Sequence, residues 1–176
     1  SWEDAQTFVN RLSAREGKEE GHYRLPTEAE WEFACRAGTE FPWSFGDVPR
    51  LLNDYAWYDF NAWNVGRRFA QRVGQKFPNP WGLYDMHGNV YEWVQDLSGP
   101  YTVEVGGRGG APEEANAEGR RIIRSGSFAS AAGLTRSGFR SSLRPTSRTY
   151  TVGFRVVKEG PPEGPAAVSP PSFQPR

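Results

Sequence analysis

A single cysteine in 176 residues excludes an internal disulfide and any thiolate metal cluster built by this chain alone. Histidine is nearly as scarce. His22 and His87 show no HxxxH spacing and leave an iron centre short of ligands. Net charge is also missing: 21 Lys plus Arg balance 21 Asp plus Glu, so no bulk field draws the chain to nucleic acid or anionic lipid. No apolar run reaches membrane-spanning length and no signal peptide is visible. Together with the absent disulfides, this favours a cytoplasmic chain. The glycine run GGRGG (Gly106 to Gly110) lacks the lysine and the strand–helix setting of a phosphate loop.

What the chain has instead is aromatics and glycine. Seven Trp and 20 Gly point to long loops pinned by aromatic anchors rather than to regular layers. The length suits one domain with a core that needs no staples. Ser1 with Asp4 forms a capping-box pattern, and Trp2, Ala5, Phe8, Val9 and Leu12 share one helical face. Thr27 with Glu30 repeats the pattern after Pro26, and Gly38 ends that helix near Arg36. On it Trp31, Phe33 and Ala34 read as core, and Cys35 as a small buried hydrophobe rather than a reactive thiol. Beyond Gly38 the helical period stops. Short runs at 55–58, 90–94, 122–123 and 154–157 read as strands, and 97–120 as a polar, glycine-rich excursion. The fold class is α+β with short strands and long irregular loops. One domain is expected over 1–157, followed by a proline-rich flexible tail over 158–176.

The densest chemistry lies in PNPWGLYDMHGNVYEWVQD, from Pro78 to Asp96. Asp85 and Glu92 stand seven residues apart, with Gly88 and Asn89 in the bend between them. Two carboxylates around a turn with free backbone carbonyls suit a hard cation that takes oxygen ligands. His87, inside the same turn, reads as a turn residue rather than a catalyst.

GLYDMHGNVYEW (Gly82 to Trp93) resembles the signature of the formylglycine-generating-enzyme, or sulfatase-modifying-factor, family of C-type-lectin-like folds. YRLPTEAEWEFACRAGT (Tyr23 to Thr39) and GFRVV (Gly153 to Val157) resemble that family in the same order. The resemblance implies a structural calcium held by the side chains of Asp85 and Glu92 and the carbonyls of Gly88 and Val90. It also implies that the start of the chain is truncated, since relatives have a strand before the SWEDAQTF segment. Active members oxidise a substrate cysteine using two copper-binding cysteines; Thr135 and Arg140 stand near those positions here, and neither is a thiolate. Catalysis of that kind is therefore not expected, although an oxidase or an inactive relative remains the alternative.

Residues 125–155 are unusual in composition. They contain no Trp, Met, Gln, Lys or Glu, whereas residues 1–124 contain 27 of these five types, a density that would place about seven in the segment. These are the types that an AAC codon cannot reach when only its adenines are replaced. The pattern resembles the variable proteins of diversity-generating retroelements. On that resemblance Phe128, Ser130, Ala132, Thr135, Ser137, Phe139, Ser141, Leu143, Thr146, Thr149 and Tyr150 form a diversified face for a protein or other macromolecular ligand. Arg136, Arg140, Arg148 and Arg155 would be its fixed frame. Phe128, Phe139 and Tyr150 are expected to be exposed aromatic anchors.

Overall fold

Both capping boxes close. In the computed structural model, which describes residues 1–99 and 119–160, Ser1 and Asp4 start helix α1 (Trp2–Arg15), and Thr27 and Glu30 start helix α2 (Glu28–Arg36). Each cap satisfies backbone N–H groups that the first helical turn cannot pair internally. Helix α2 ends on Ala37 in the left-handed region, one residue before Gly38. A one-turn helix α3 (Leu52–Tyr55) follows.

The strands are β1 (Tyr23–Arg24), β2 (Tyr91–Leu97), β3 (Arg121–Arg124), β4 (Ser141–Leu143), β5 (Val152–Phe154) and β6 (Val157–Lys158). Four of them form one sheet in the order β4-β3-β2-β5, antiparallel except for the parallel pair β2–β5. In a separate ladder β6 returns to β1, pairing Val157 with Arg24 and Lys158 with Tyr23. Pairing thus reaches Lys158, beyond the expected boundary at 157. Residues 161–176 of the expected tail lie outside the described residues, as does most of the 97–120 excursion.

The central sheet is covered on both faces. Trp93 and Ile123 pack with Ala5, Val9, Tyr23 and Leu25 beside α1. Their neighbours Val94 and Ile122 pack with Trp31, Cys35 and Met86 beside α2. Successive strand residues point to opposite faces, so a strand covered twice is apolar on both sides. Two smaller clusters extend the core under the loops: Trp43, Leu52, Ala56 and Tyr58 in one, and Trp57, Ala62 and Phe128 in the other.

Four readings of the sequence need correction here. The run 154–157 is not one strand: Phe154 ends β5 in the central sheet, Val157 starts β6 in the separate ladder, and Arg155 between them turns to Glu92. The run 55–58 is not a strand. Tyr55 ends α3, and Asn61 Oδ1 accepts the Tyr58 N–H at 3.0 Å, closing a turn where a ladder partner would stand. Phe8, on the expected inward face of α1, is half exposed and meets Phe154 edge-on with centroids 5.4 Å apart. Phe33, expected in the core, is 67% exposed and packs edge-on against Trp81.

Candidate functional site

The segment after β3 begins with two residues in the left-handed region, Ser125 (φ 86°) and Gly126 (φ 103°). A Cβ on Gly126 would stand 2.9 Å from the Leu134 carbonyl oxygen, so both the turn and the space require glycine there. The chain then knots itself with hydroxyls. Ser127 N–H donates to Ser130 Oγ at 2.9 Å, and Ser130 Oγ donates to the Tyr91 hydroxyl at 2.9 Å.

Four expected surface positions prove to be interior. Phe128 has no exposed area; it packs with Trp57 and Ala62, and its N–H donates to the Asn89 carbonyl at 2.7 Å. Thr135 is buried with its hydroxyl accepting from Trp43 Nε1 at 3.0 Å and donating to the Ala132 carbonyl at 2.8 Å. Ser137 is buried, with its N–H on the Pro42 carbonyl and its own carbonyl accepting from Arg124. Ser130 is buried in the hydroxyl knot. These four are framework, because each satisfies a partner that has no access to water.

The other expected positions reach the surface to different degrees. Ser141, Thr146, Thr149 and Tyr150 are exposed, Tyr150 at 65%. Ala132, Phe139 and Leu143 are half buried, with Phe139 tilted against Tyr91 at 6.4 Å and Leu143 against the α1 cluster. Leu134, which the sequence reading passed over, is also exposed.

Arginines hold this segment to the rest of the fold. Arg140 pairs through two nitrogens with Glu28 (2.8 and 2.9 Å), Arg148 with Asp4 (2.9 Å), and Arg155 with Glu92. Arg136 donates to the Gly133 carbonyl at 2.8 Å. Arg124 lies beneath them with no exposed area. It binds Glu28 at 3.0 Å, Glu32 at 2.6 Å and the Ser137 carbonyl at 2.7 Å. Its role went unread in the sequence, but a signal was available: Glu28 and Glu32 lie one helical turn apart on the α2 face that meets β3.

The acidic turn is built from the same neighbourhood. Asp85 adopts φ 58°, and its Oδ2 accepts the Gly74 N–H at 2.9 Å, while Oδ1 is buried without a partner among the described residues. Burial pushes the Asp85 carboxyl up, and the nearby charge of Glu92 pushes the same way. Glu92 is buried too, accepting from Trp31 Nε1 at 2.6 Å and from Arg155 Nε and Nη2 at 2.5 and 2.7 Å. Gly88 fits only as glycine, since a Cβ would stand 2.3 Å from the Trp57 carbonyl oxygen; its own carbonyl accepts from Ser125 Oγ at 3.2 Å. Val90 is half buried beside Gly153. The orphaned Asp85 oxygen fits a cation. Glu92 fits less freely: three donors already occupy its roughly four lone-pair positions.

Cys35 is fully buried, and burial pushes its thiol up to about 12, so it is inert as a nucleophile. His87 is equally buried, with its ring bridging Ser44 and the Thr135 carbonyl. Among the described residues no three His, Cys, Asp or Glu side chains cluster as a metal set, and no helix is long and apolar enough to cross a membrane.

A family model for the sulfatase-modifying factor enzyme 1-like domain matches residues 1–160. Among curated proteins, the chain is 33% identical over 176 residues to the formylglycine-generating enzyme of Bos taurus, covering 90% of this chain and 42% of that one. It is 33% identical over 139 residues to the serine/threonine-protein kinase pkn1 of Chlamydia pneumoniae, covering 77% and 21%. The chain therefore spans less than half the length of either relative. Among solved structures, Treponema denticola variable protein 1 superposes with a TM-score of 0.72 at 29% identity, over 88% of this chain and 68% of that one. PvdO from Pseudomonas aeruginosa superposes with a TM-score of 0.73 at 31% identity, over 88% and 58%.

Proposed function

Because the chain belongs to the sulfatase-modifying factor enzyme 1-like domain family, we propose that it is a non-enzymatic, ligand-binding member with a diversified face in 125–155, like the variable proteins of diversity-generating retroelements. Its α+β architecture is the C-type-lectin-like fold of the formylglycine-generating type. The observation that carries the reading is a division of labour within the segment. Arg140, Arg155 and the buried Phe128 and Thr135 fasten it, while Ser141, Thr146 and Thr149 face water without a side-chain bond into the core among the described residues, and Tyr150 keeps 65% of its area exposed with its ring beside Phe128. Side chains of the second kind can change while the fold stays. Likeness to a variable protein of the same fold supports the reading.

The enzymatic alternative draws on the formylglycine-generating relatives. Against it stand the two positions where the resemblance expects copper-binding cysteines. Thr135 is a buried hydroxyl bonded to Trp43, and Arg140 is paired with Glu28. Copper-dependent oxidation of a cysteine-containing peptide by this chain would restore the alternative. The decisive observation is the surrounding DNA. It should hold a near-copy of the 125–155 coding segment that differs at adenines, beside a reverse transcriptase gene. Differences should fall on exposed codons such as Tyr150 and spare Phe128. Absence of any such copy in a complete genome overturns the proposal.

The frame is proposed to hold a structural Ca²⁺ through Asp85, Glu92 and the carbonyls of Gly88 and Val90. The ion would supply positive charge beside a buried carboxylate and fix the turn. Since burial raises the Asp85 pKa, its ionised form costs stability at neutral pH when no cation is bound. Asp85→Asn removes that cost and tolerates the left-handed backbone. The metal-free variant should melt at or above the wild-type temperature, and its gain from calcium should shrink. Identical melting of the wild type in excess Ca²⁺ and in chelator would refute the site.

A further inference from the structure

Between Asp59 and Asp85 the chain has no acidic residue but four cations, Arg67, Arg68, Arg72 and Lys76. In a chain of zero net charge this is a local excess. The loop 64–75 that carries the arginines is exposed along its length except at Gln71. It is nonetheless fastened: Gln71 exchanges two hydrogen bonds with the Asn89 side chain (2.8 and 3.1 Å), and Gly74 N–H binds Asp85.

Several arginines elsewhere are neutralised, and those of this loop are not. Arg24, Arg36, Arg124, Arg148 and Arg155 each meet a carboxylate. Arg67, Arg68 and Arg72 form no ion pair among the described residues. Arg67 lies over the Trp57 ring at 5.3 Å, and Arg68 over Trp63 at 5.0 Å. A guanidinium laid on an indole is held in place while its N–H edge stays open to a bidentate acceptor. Val65, Phe69 and Val73 alternate with the arginines and are exposed, Val73 at 75%. The loop also adjoins the diversified face. Trp63 stacks on Phe128 at 6.2 Å, and Phe128 meets Tyr150 at 5.9 Å.

We propose that loop 64–75 is a constant docking lip for a protein partner whose surface sets Asp and Glu carboxylates around apolar side chains. The inference rests on the reading of 125–155 as the adjacent binding face. Charge complementarity selects the carboxylates, and Val65, Phe69 and Val73 select a protein. A nucleic acid would take the arginines through phosphates, but Phe69 is the one exposed ring among the three apolar side chains, and Val65 and Val73 offer no surface for a base to stack on.

The test uses a random poly(Glu,Tyr) copolymer as probe, with poly(Lys,Tyr) and a single-stranded DNA oligonucleotide of equal charge as controls. Poly(Glu,Tyr) should bind, weaken with added salt, and lose about tenfold or more in affinity for R67Q/R68Q/R72Q, whose melting should stay close to wild type. Phe69→Ser with Val73→Ser should also weaken it. Failure of poly(Glu,Tyr) to bind, undiminished binding by the arginine variant, or tighter binding of the DNA each overturns the lip. Phe139→Ser with Tyr150→Ser separates the two readings. Loss in that pair with none in the arginine variant overturns the lip alone. The reverse pattern supports the lip and counts against the diversified face.

Discussion

Phe128→Ala is expected to cost about 3–5 kcal/mol of stability, roughly 10 °C or more in Tm, whereas Tyr150→Ala stays within about 0.5 kcal/mol of wild type. The two aromatics touch each other at 5.9 Å and belong to one segment, yet they do opposite work. Phe128 has no exposed area and fills the space between Trp57, Ala62 and Trp63. Its backbone is engaged at both ends, N–H on the Asn89 carbonyl and carbonyl on the Trp63 N–H. Truncation would leave a ring-sized void that these fixed neighbours cannot close. Tyr150 is mostly in water and loses little when cut back. Chemical denaturation of the two variants in parallel checks the contrast. Equal losses would mean that the segment is uniformly structural, and the diversified face would fall with it.

That contrast also marks what the sequence could not tell. The helix starts at Ser1 and Thr27 were legible because capping is local, made by residues three apart. The GLYDMHGNVYEW turn was legible for a similar reason, as its left-handed Asp85 and its tight Gly88 sit inside one short stretch. Helical period identifies a face but not what covers it, which is why Phe8 and Phe33 read as core and yet are exposed. Residues 125–140 carry no period at all. Whether Phe128 or Phe139 turns inward is settled by Asn89, Trp57 and Tyr91, far away in the chain. Serine and threonine mislead most. Ser130, Thr135 and Ser137 look like adaptable surface hydroxyls and are interior because Tyr91, Trp43 and Arg124 supply their partners or their carbonyls' partners.

The frame under segment 125–155 also holds a large arginine–carboxylate network. Arg124, Glu28, Glu32 and Arg140 join α2, β3 and the segment in one buried or half-buried group. Buried charges of this kind add little net stability compared with apolar packing, but removing one partner strands the others. The network thereby ties α2, β3 and the segment together through charges that cannot be removed singly without cost. The changeable surface proposed for that segment needs that kind of fixed registration.

Mild acid should unfold this frame through one residue. Burial pushes the His87 imidazole down to about 4, against an ordinary value near 6.5. Nε2 accepts the Ser44 N–H at 3.1 Å and Nδ1 donates to the Thr135 carbonyl at 3.0 Å, so the hydrogen-bond network assigns a neutral ring protonated at Nδ1. Because the folded value is the lower one, the stabilisation is complete above pH 6.5 and is lost as pH falls through 4. A difference of 2.5 pH units corresponds to about 3 kcal/mol in all. Asp85 and Asp96, both raised by burial, work in the opposite sense and offset part of the loss as they take up protons. Asp4 and Glu30, held near 2 by their hydrogen-bond partners, contribute losses that begin below about pH 5 and run down to their folded values. His87→Asn removes the titrating ring, so the wild-type excess of pH dependence between 6.5 and 4 should vanish in that variant even if its stability at neutral pH is lower. His22→Asn should leave the excess in place. Denaturant unfolding across that range reads the difference directly. A wild-type curve parallel to that of His87→Asn would show that the ring is protonated in the folded state at no cost, and would remove His87 as the link between the acidic turn and Thr135.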